Sequence, residues 1–517
     1  MLRGFLKGMG VTDTDNAANA REALALLATK KYDIVICDYN LGHGQNGQQI
    51  LEEARYKKYI GYATIWVMVT AEKTMDMFMG AAETKPDDYL LKPITAGILE
   101  ARLNKLIEKK KSLEPIEKAV NSKDYIRAIA SCDEQLKQHS TNTPELQRIK
   151  SDLLITIGDF PAAEAFLANI LATRGVPWAK TGLGKIYFMN KDFFRAKEIF
   201  QEVLDENKMY LEAADWLSKT LDALGDLEQA QSVLSKAMEL SPNAAARQKN
   251  LADAAYKNGA LDLAQSSYEK AIKLGEHSVH KSSNTYAGLA RVLTAKDDPG
   301  EALKVLDLSR GEFKDDPDAA LQTAVIEGLA YQKMGQPEKA STALAVAEEL
   351  MRCQPGSASA ATTMDMANAL FELGQKDKAC GLLESMVKNN HENAGIIKMV
   401  EAVFENAGMA EEGDKLIKKS SQEVININNQ GVTLAKEGKF EEGIKLMRLA
   451  LKDMPNSDLM IMNLCGMIIG LMSANGKDDR MIFEARELLD RVRKINPTNK
   501  KYNAYTNILS KLSLSAG

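Results

Sequence analysis

The chain has 517 residues, too many for one compact domain and enough for a domain followed by an extended array. Apolar residues make up 45% and charged residues 26%, a balance that permits packed cores. Its 66 Lys and Arg against 71 Asp and Glu leave a net charge of −5 with no basic domain, which argues against a chain built to grip phosphate backbones, so no nucleic-acid partner is expected.

From the N-terminus, MLRGFLKGMG reads as an amphipathic helix running into a turn. It lacks the charged start and apolar run of a secretory leader. A helical pattern over Arg21–Thr29 follows. Tyr32–Asp38 is then a short β-branched run ending in an acid and a turn (Asn40, Leu41, Gly42), the pattern of a strand buried on both faces. Gly47–Lys57 is helical, Ala63–Val69 (ATIWVMV) is a second strand ending at Thr70, and Thr74–Glu83 is helical. Asp88–Leu91 is a third strand ending at Lys92-Pro93, and Thr95–Lys110 is a closing helix. Strands alternating with helices at this spacing imply βαβ units and a parallel sheet. The basic run Lys109–Lys111 falls where that helix ends and complements its dipole.

Asp38, Thr70 and Lys92 each fall at the carboxyl end of a predicted strand, the edge where open parallel sheets bind ligands. An acid, a hydroxyl and an ammonium together there suit phosphoryl transfer. The carboxylate is the nucleophile, and the other two stabilise charge on the phosphoryl oxygens. The strand ending CDYN, the strand ending VMVTAE, and DDYLLKP resemble the receiver domain of two-component response regulators, over about the first fifth of the chain. The resemblance implies a flavodoxin-like α/β fold with Asp38 as phosphoacceptor. It implies Thr70 and Lys92 as phosphoryl-contacting residues, Tyr89 as the aromatic switch, and Glu72 as a residue that tunes dephosphorylation. It also implies Mg2+ held by Asp38 and the Asn40 backbone carbonyl together with an acidic pair. That pair belongs to a first strand which this chain lacks. With one carboxylate left, Mg2+ binding should be poor, and the strand is expected upstream of Met1. The loop NLGHGQNG after Asp38 also lacks the family's common proline and is one residue longer.

Past residue 111 the strand signal ends. Ala196, Ala230 and Ala264 are spaced 34 residues apart, and Phe200, Leu234 and Tyr268 keep the same step. Gly225 and Gly259 lie five residues before their alanines. A helix–turn–helix pattern with this period resembles the tetratricopeptide repeat, and an all-α solenoid is expected over 112–517, with a receiver domain over 1–111. The best units are 177–210, 211–244 and 245–278. Ala128, Ala163, Ala302, Ala340, Ala379, Gly413, Gly443 and Ala485 extend the small-residue position, and Pro242, Pro455 and Pro497 end units. Unit 394–423 is weak. About ten or eleven helix pairs are expected.

Leu459–Met472 is the longest apolar stretch, shorter than a membrane span and interrupted by Asn463, so a buried helix is expected there. It is nevertheless more apolar than a solvent-facing cap, so an oligomer or partner contact through the C-terminal end is expected. The five cysteines make no C-x-x-C pair and suit a reducing compartment. His277 and His280 are three apart, yet no carboxylate pattern accompanies them and a polar loop is the better reading. The expectation is therefore a cytoplasmic response regulator, not an enzyme acting on an external substrate. A histidine kinase or phosphotransfer protein would phosphorylate Asp38, and this would control protein partners of the repeat array. The alternative is a constitutive scaffold whose receiver is silent.

Overall fold

The structure, a computed structural model, describes residues 2–42, 44–71, 84–138, 142–354, 358–496, 499 and 501–514. The chain divides into two compact units, Met1–Thr285 and Tyr286–Gly517. The first holds an α/β domain followed by helical hairpins, so the change of fold type near residue 111 falls inside it. The second is helical throughout its described residues.

The α/β domain comprises α1 (Leu2–Gly8), α2 (Ala20–Thr29), β1 (Ile34–Asp38), α3 (Gly47–Tyr56), β2 (Ile65–Thr70), β3 (Asp88–Leu91) and α4 (Ala96–Lys111). The strands are parallel in the order β1-β2-β3, with Asp38 opposite Val69 and Thr70 opposite Leu91. All six residues of β2 are buried, because each face of the sheet is covered. Ile65, Val67 and Val69 pack with Leu90, Leu99, Leu103 and the apolar side of α1. Trp66 and Met68 point the other way, into Leu27, Ile50, Leu51 and Ala54. This two-residue alternation explains why an unbroken apolar run makes a central strand. Residues 11–19 form no strand. The expected helix over 74–83 lies outside the described residues.

α4 leads into the array through its basic end. Lys110 is buried, with Nζ 2.8 Å from Asp87 Oδ1 and 2.7 Å from the Tyr62 carbonyl oxygen, and Lys109 pairs with Glu145 at 2.6 Å. Lys109 thus ties the α/β domain to the Thr143–Thr156 helix, while Lys110 pairs within the domain with Asp87 and lies 3.5 Å from Glu145, a use that the helix dipole does not require.

Helix pairs lie at Pro177–Met189 with Phe193–Glu206, Leu211–Leu224 with Leu227–Leu240, and Ala245–Lys257 with Leu261–Gly275. Ala196, Ala230 and Ala264 are at most 1% exposed, and Ala128, Ala163, Ala302, Ala340, Ala379 and Ala485 are fully buried. The turn in the 211–244 pair shows why the sequence carries Gly-Asp there. Gly225 has φ 82°, where a side chain would be strained, and the Asp226 side chain then accepts the Gln229 N–H at 3.3 Å to cap the next helix.

Unit 394–423 is weak for a visible reason. Its second helix does not stop but runs on as one 27-residue helix, Ala410–Lys436, so the turn that would reset the period is missing. Close approach persists there: a Cβ on Gly413 would lie 2.6 Å from Phe404 Cβ.

The apolar C-terminal segment is the helix Asp458–Asn475, long and apolar enough to pass for a membrane span by length and composition. It is buried, as expected, and two further helices follow it, Asp479–Ile495 and Tyr502–Leu514. Met460, Cys465, Ile468 and Met472 pack with Ile444 and Met447 on one side and with Leu488, Val492 and Leu509 of later helices. Pro455 follows the preceding helix, whereas Pro497 lies outside the described residues.

Candidate functional site

β1, β2 and β3 end side by side, which brings Asp38, Thr70 and Lys92 to one rim. Asp38 Oδ2 is 2.5 Å from Lys92 Nζ, and its Oδ1 accepts the Asn40 N–H at 3.2 Å. The Asp38 side chain is 34% exposed, so the carboxylate is pinned yet open to an incoming group. Thr70 is buried, and its carbonyl accepts the Lys92 N–H at 2.8 Å, which fixes the lysine backbone against the threonine strand end. The Lys92–Pro93 peptide is cis.

The loop after β1 is held by short-range bonds. Asn40 Oδ1 accepts the Gly42 N–H at 3.1 Å, and the Tyr39 carbonyl accepts the Gly47 N–H at 2.9 Å. Asn46 caps α3 in a reciprocal box with Gln49, both bonds being 2.9 Å. Gly47 is packed so tightly beneath Asp38 that a Cβ there would overlap the Asp38 carbonyl oxygen and sit 2.9 Å from Met68 Sδ. Sequence reading missed this glycine. The Asn-x-x-Gln box beside it was the legible signal.

Cys37 precedes the carboxylate, but burial pushes its thiol up to about 12, so it stays protonated and is no rival nucleophile. Tyr89 is half-buried against the Trp66 and Met68 cluster, and burial pushes its phenol up to about 12. It lies on the α3 side of the sheet. Arg55 of α3 donates to the carbonyls of Thr84 and Lys85, the latter at 2.8 Å, fixing the segment that leads into β3. Glu72 lies outside the described residues.

Asp38 and the Asn40 carbonyl would bring one carboxylate and one neutral oxygen to Mg2+. Both Asp38 oxygens already have partners, and no group of three or more His, Cys, Asp or Glu side chains that could hold a metal occurs among the described residues. The residues present do not fit this hard cation. His280 Nε2 lies 2.7 Å from Glu52 Oε1 of α3.

Residues 1–104 match the response regulator receiver domain, and residues 211–244 match the tetratricopeptide repeat. The N-terminal domain is a response regulator receiver. It is similar to the chemotaxis protein CheY of Pseudomonas aeruginosa, 28% identical over 109 residues that cover 21% of this chain and 86% of that protein. It is equally similar to CheY-3 of Vibrio cholerae, at 28% identity over 21% of this chain and 82% of that protein. A tetratricopeptide repeat protein from Parabacteroides merdae, of known crystal structure, aligns at 14% identity and a TM-score of 0.36, covering 51% of this chain and 99% of its own. The chain joins a receiver domain at 1–104 to a helical array that carries a tetratricopeptide repeat at 211–244.

Proposed function

We propose that this protein is a cytoplasmic two-component response regulator whose receiver is phosphorylated on Asp38 and whose array is the protein-binding output. The observation that carries the reading is the Asp38–Lys92 pair at 2.5 Å beside Thr70, on a rim open to a donor. A phosphohistidine of a sensor kinase or phosphotransfer protein is the donor. Its N–P bond breaks as an Asp38 oxygen bonds to phosphorus, and the electron pair returns to the imidazole. Lys92 passes from the carboxylate to a phosphoryl oxygen, and the Thr70 hydroxyl donates to another. The modification adds roughly −1.5 to −2 of charge. Thr70 and Tyr89 then bias the two-state face beside β3, where the array begins. Such a receiver handles its own phosphoryl group and turns over no external substrate.

The test is intact-mass analysis of the protein after incubation with acetyl phosphate, with and without Mg2+. Wild type is expected to gain one phosphoryl mass and Asp38→Asn none. A second reading, a constitutive scaffold with a silent receiver, draws on the single-carboxylate donor set described above. Unlabelled but folded wild type would decide for it.

A further inference from the structure

Inside the first compact unit, receiver and array enclose a cavity of about 1080 Å³. α3 and the segment before β3 form one wall, and the starts of the Leu211–Leu224 and Ala245–Lys257 helices form the other. Two ion pairs cross it. Glu52 of α3 meets His280 at 2.7 Å, and Lys85 Nζ lies 3.6 Å from Glu212 Oε2.

The two pairs differ in chemistry. Glu212 is set among cations, 2.5 Å from Lys185 and 3.8 Å from Arg148. Burial pushes its carboxyl up, but Lys185, Lys85 and Arg148 outweigh that and hold it near 2, so it is an anion at any working pH. Lys85 is aimed from a fixed backbone with φ 48°, its carbonyl held by Arg55. His280 has an ordinary value of 6.5, inside the physiological range. It has 40% of its side chain exposed, and its partner Glu52 has 34%.

From this geometry we infer that Glu52–His280 and Lys85–Glu212 form a two-point clasp holding the α3 face of the receiver on the array, and that His280 loosens the clasp as pH rises. The hydrogen bond to Glu52 raises the His280 pKa while burial opposes it. A histidine raised in the clasped state contributes fully below its free value and loses that contribution as pH climbs through the raised one. Arg55, Arg148, Lys219 and Arg247 line the same cavity as cations, with Glu212 and Asp215 as anions. Arginines keep their charge throughout, and Glu212 stays anionic among its cations, whereas burial raises the Asp152 carboxyl beside Lys185 and Arg148. Burial lowers the Lys85 pKa, so that lysine must be tested separately. The clasp is independent of Asp38 chemistry, and all comparisons belong in an Asp38→Asn background.

Hydrogen exchange of the 47–56 segment reads the clasp, taken as the ratio of variant to parent at one pH so that intrinsic exchange cancels. At pH 6, His280→Gln and Glu52→Gln should each speed exchange by about two- to fivefold, the range for a partly exposed ion pair. At pH 8.5 both ratios should fall to near one. Lys85→Met should speed exchange to the same degree at both pH values. Equal His280→Gln ratios at the two pH values, unchanged exchange at pH 6 in both glutamine variants, or a pH dependence that resides in Lys85→Met would each overturn the inference.

Discussion

Gly47→Ala should destabilise the receiver by ~1–3 kcal/mol, the usual cost of forcing a methyl group into a packed site. It should also slow acetyl-phosphate labelling of Asp38 on the order of a hundredfold, as misplacement by an ångström can. A Cβ at position 47 overlaps a backbone carbonyl rather than a flexible side-chain tip. That carbonyl belongs to Asp38, and the strand end cannot yield freely. The Tyr39 N–H donates to the Val69 carbonyl at 2.7 Å, and Cys37 and Asp38 are in register with Met68 and Val69. Nor can α3 slide away, since the Gly47 N–H is bonded to the Tyr39 carbonyl and Ile50, Leu51 and Ala54 are fully buried. Whichever side moves, Asp38 turns relative to Lys92. Gly97→Ala is the control, because a Cβ there meets nothing within 4 Å and alanine suits the α4 helix. Urea midpoints and labelling rates of the two variants separate the outcomes. A Gly47→Ala protein labelled at the parent rate would show that the rim tolerates a shifted strand.

The parts of this molecule that were legible in the sequence are those whose signals are local or strictly periodic. β2 was readable because six consecutive residues are buried on both faces. The rim was readable because each of its three residues closes an apolar run, and a parallel sheet must align those ends. The 34-residue step was readable because Ala196, Ala230 and Ala264 each sit where two helices nearly touch. What stayed hidden depends on contacts remote in the chain. Nothing near Glu52 announces His280, 228 residues away, and nothing near Lys85 announces Glu212. The lysine run at 109–111 looks like a helix end because its partners, Asp87 and Glu145, lie on other elements. Unit 394–423 lacks the pattern because Ala410–Lys436 runs as one helix through the point where the repeat normally turns. The apolar stretch after Leu459 is legible as a buried helix, but hydrophobicity alone does not tell which later helices cover it.

Arg291→Ala should cost roughly 3 kcal/mol, toward the low end for breaking a buried ion pair because about a fifth of each side chain remains exposed. Arg291 reaches from the Ser283–Ala295 helix to Asp365 on Ala360–Glu372, with Nε at 2.9 Å and a terminal nitrogen at 2.5 Å from the same Oδ2. Burial pushes the Asp365 carboxyl up while the guanidinium opposes it. With the arginine gone, only burial acts, and the carboxylate is left in a poorly solvated site. The pH dependence has a definite sign. A carboxyl raised in the folded state contributes its stability below the unfolded value, and that contribution is lost as pH rises through the folded value. The Arg291→Ala deficit should therefore be largest near neutrality and shrink in acid as Asp365 takes up a proton. Adding Asp365→Asn to Arg291→Ala removes the charge that was stranded, so the double variant should recover a substantial part of the loss. Asp365→Asn alone should be costly, because it strands the guanidinium instead. In a repeat array, stability is shared among neighbouring units, so exchange of the 360–372 segment is the proper readout rather than a global midpoint. If the double variant exchanged as fast as the two single losses added together, the pair would be two independent contacts rather than one coupled charge site.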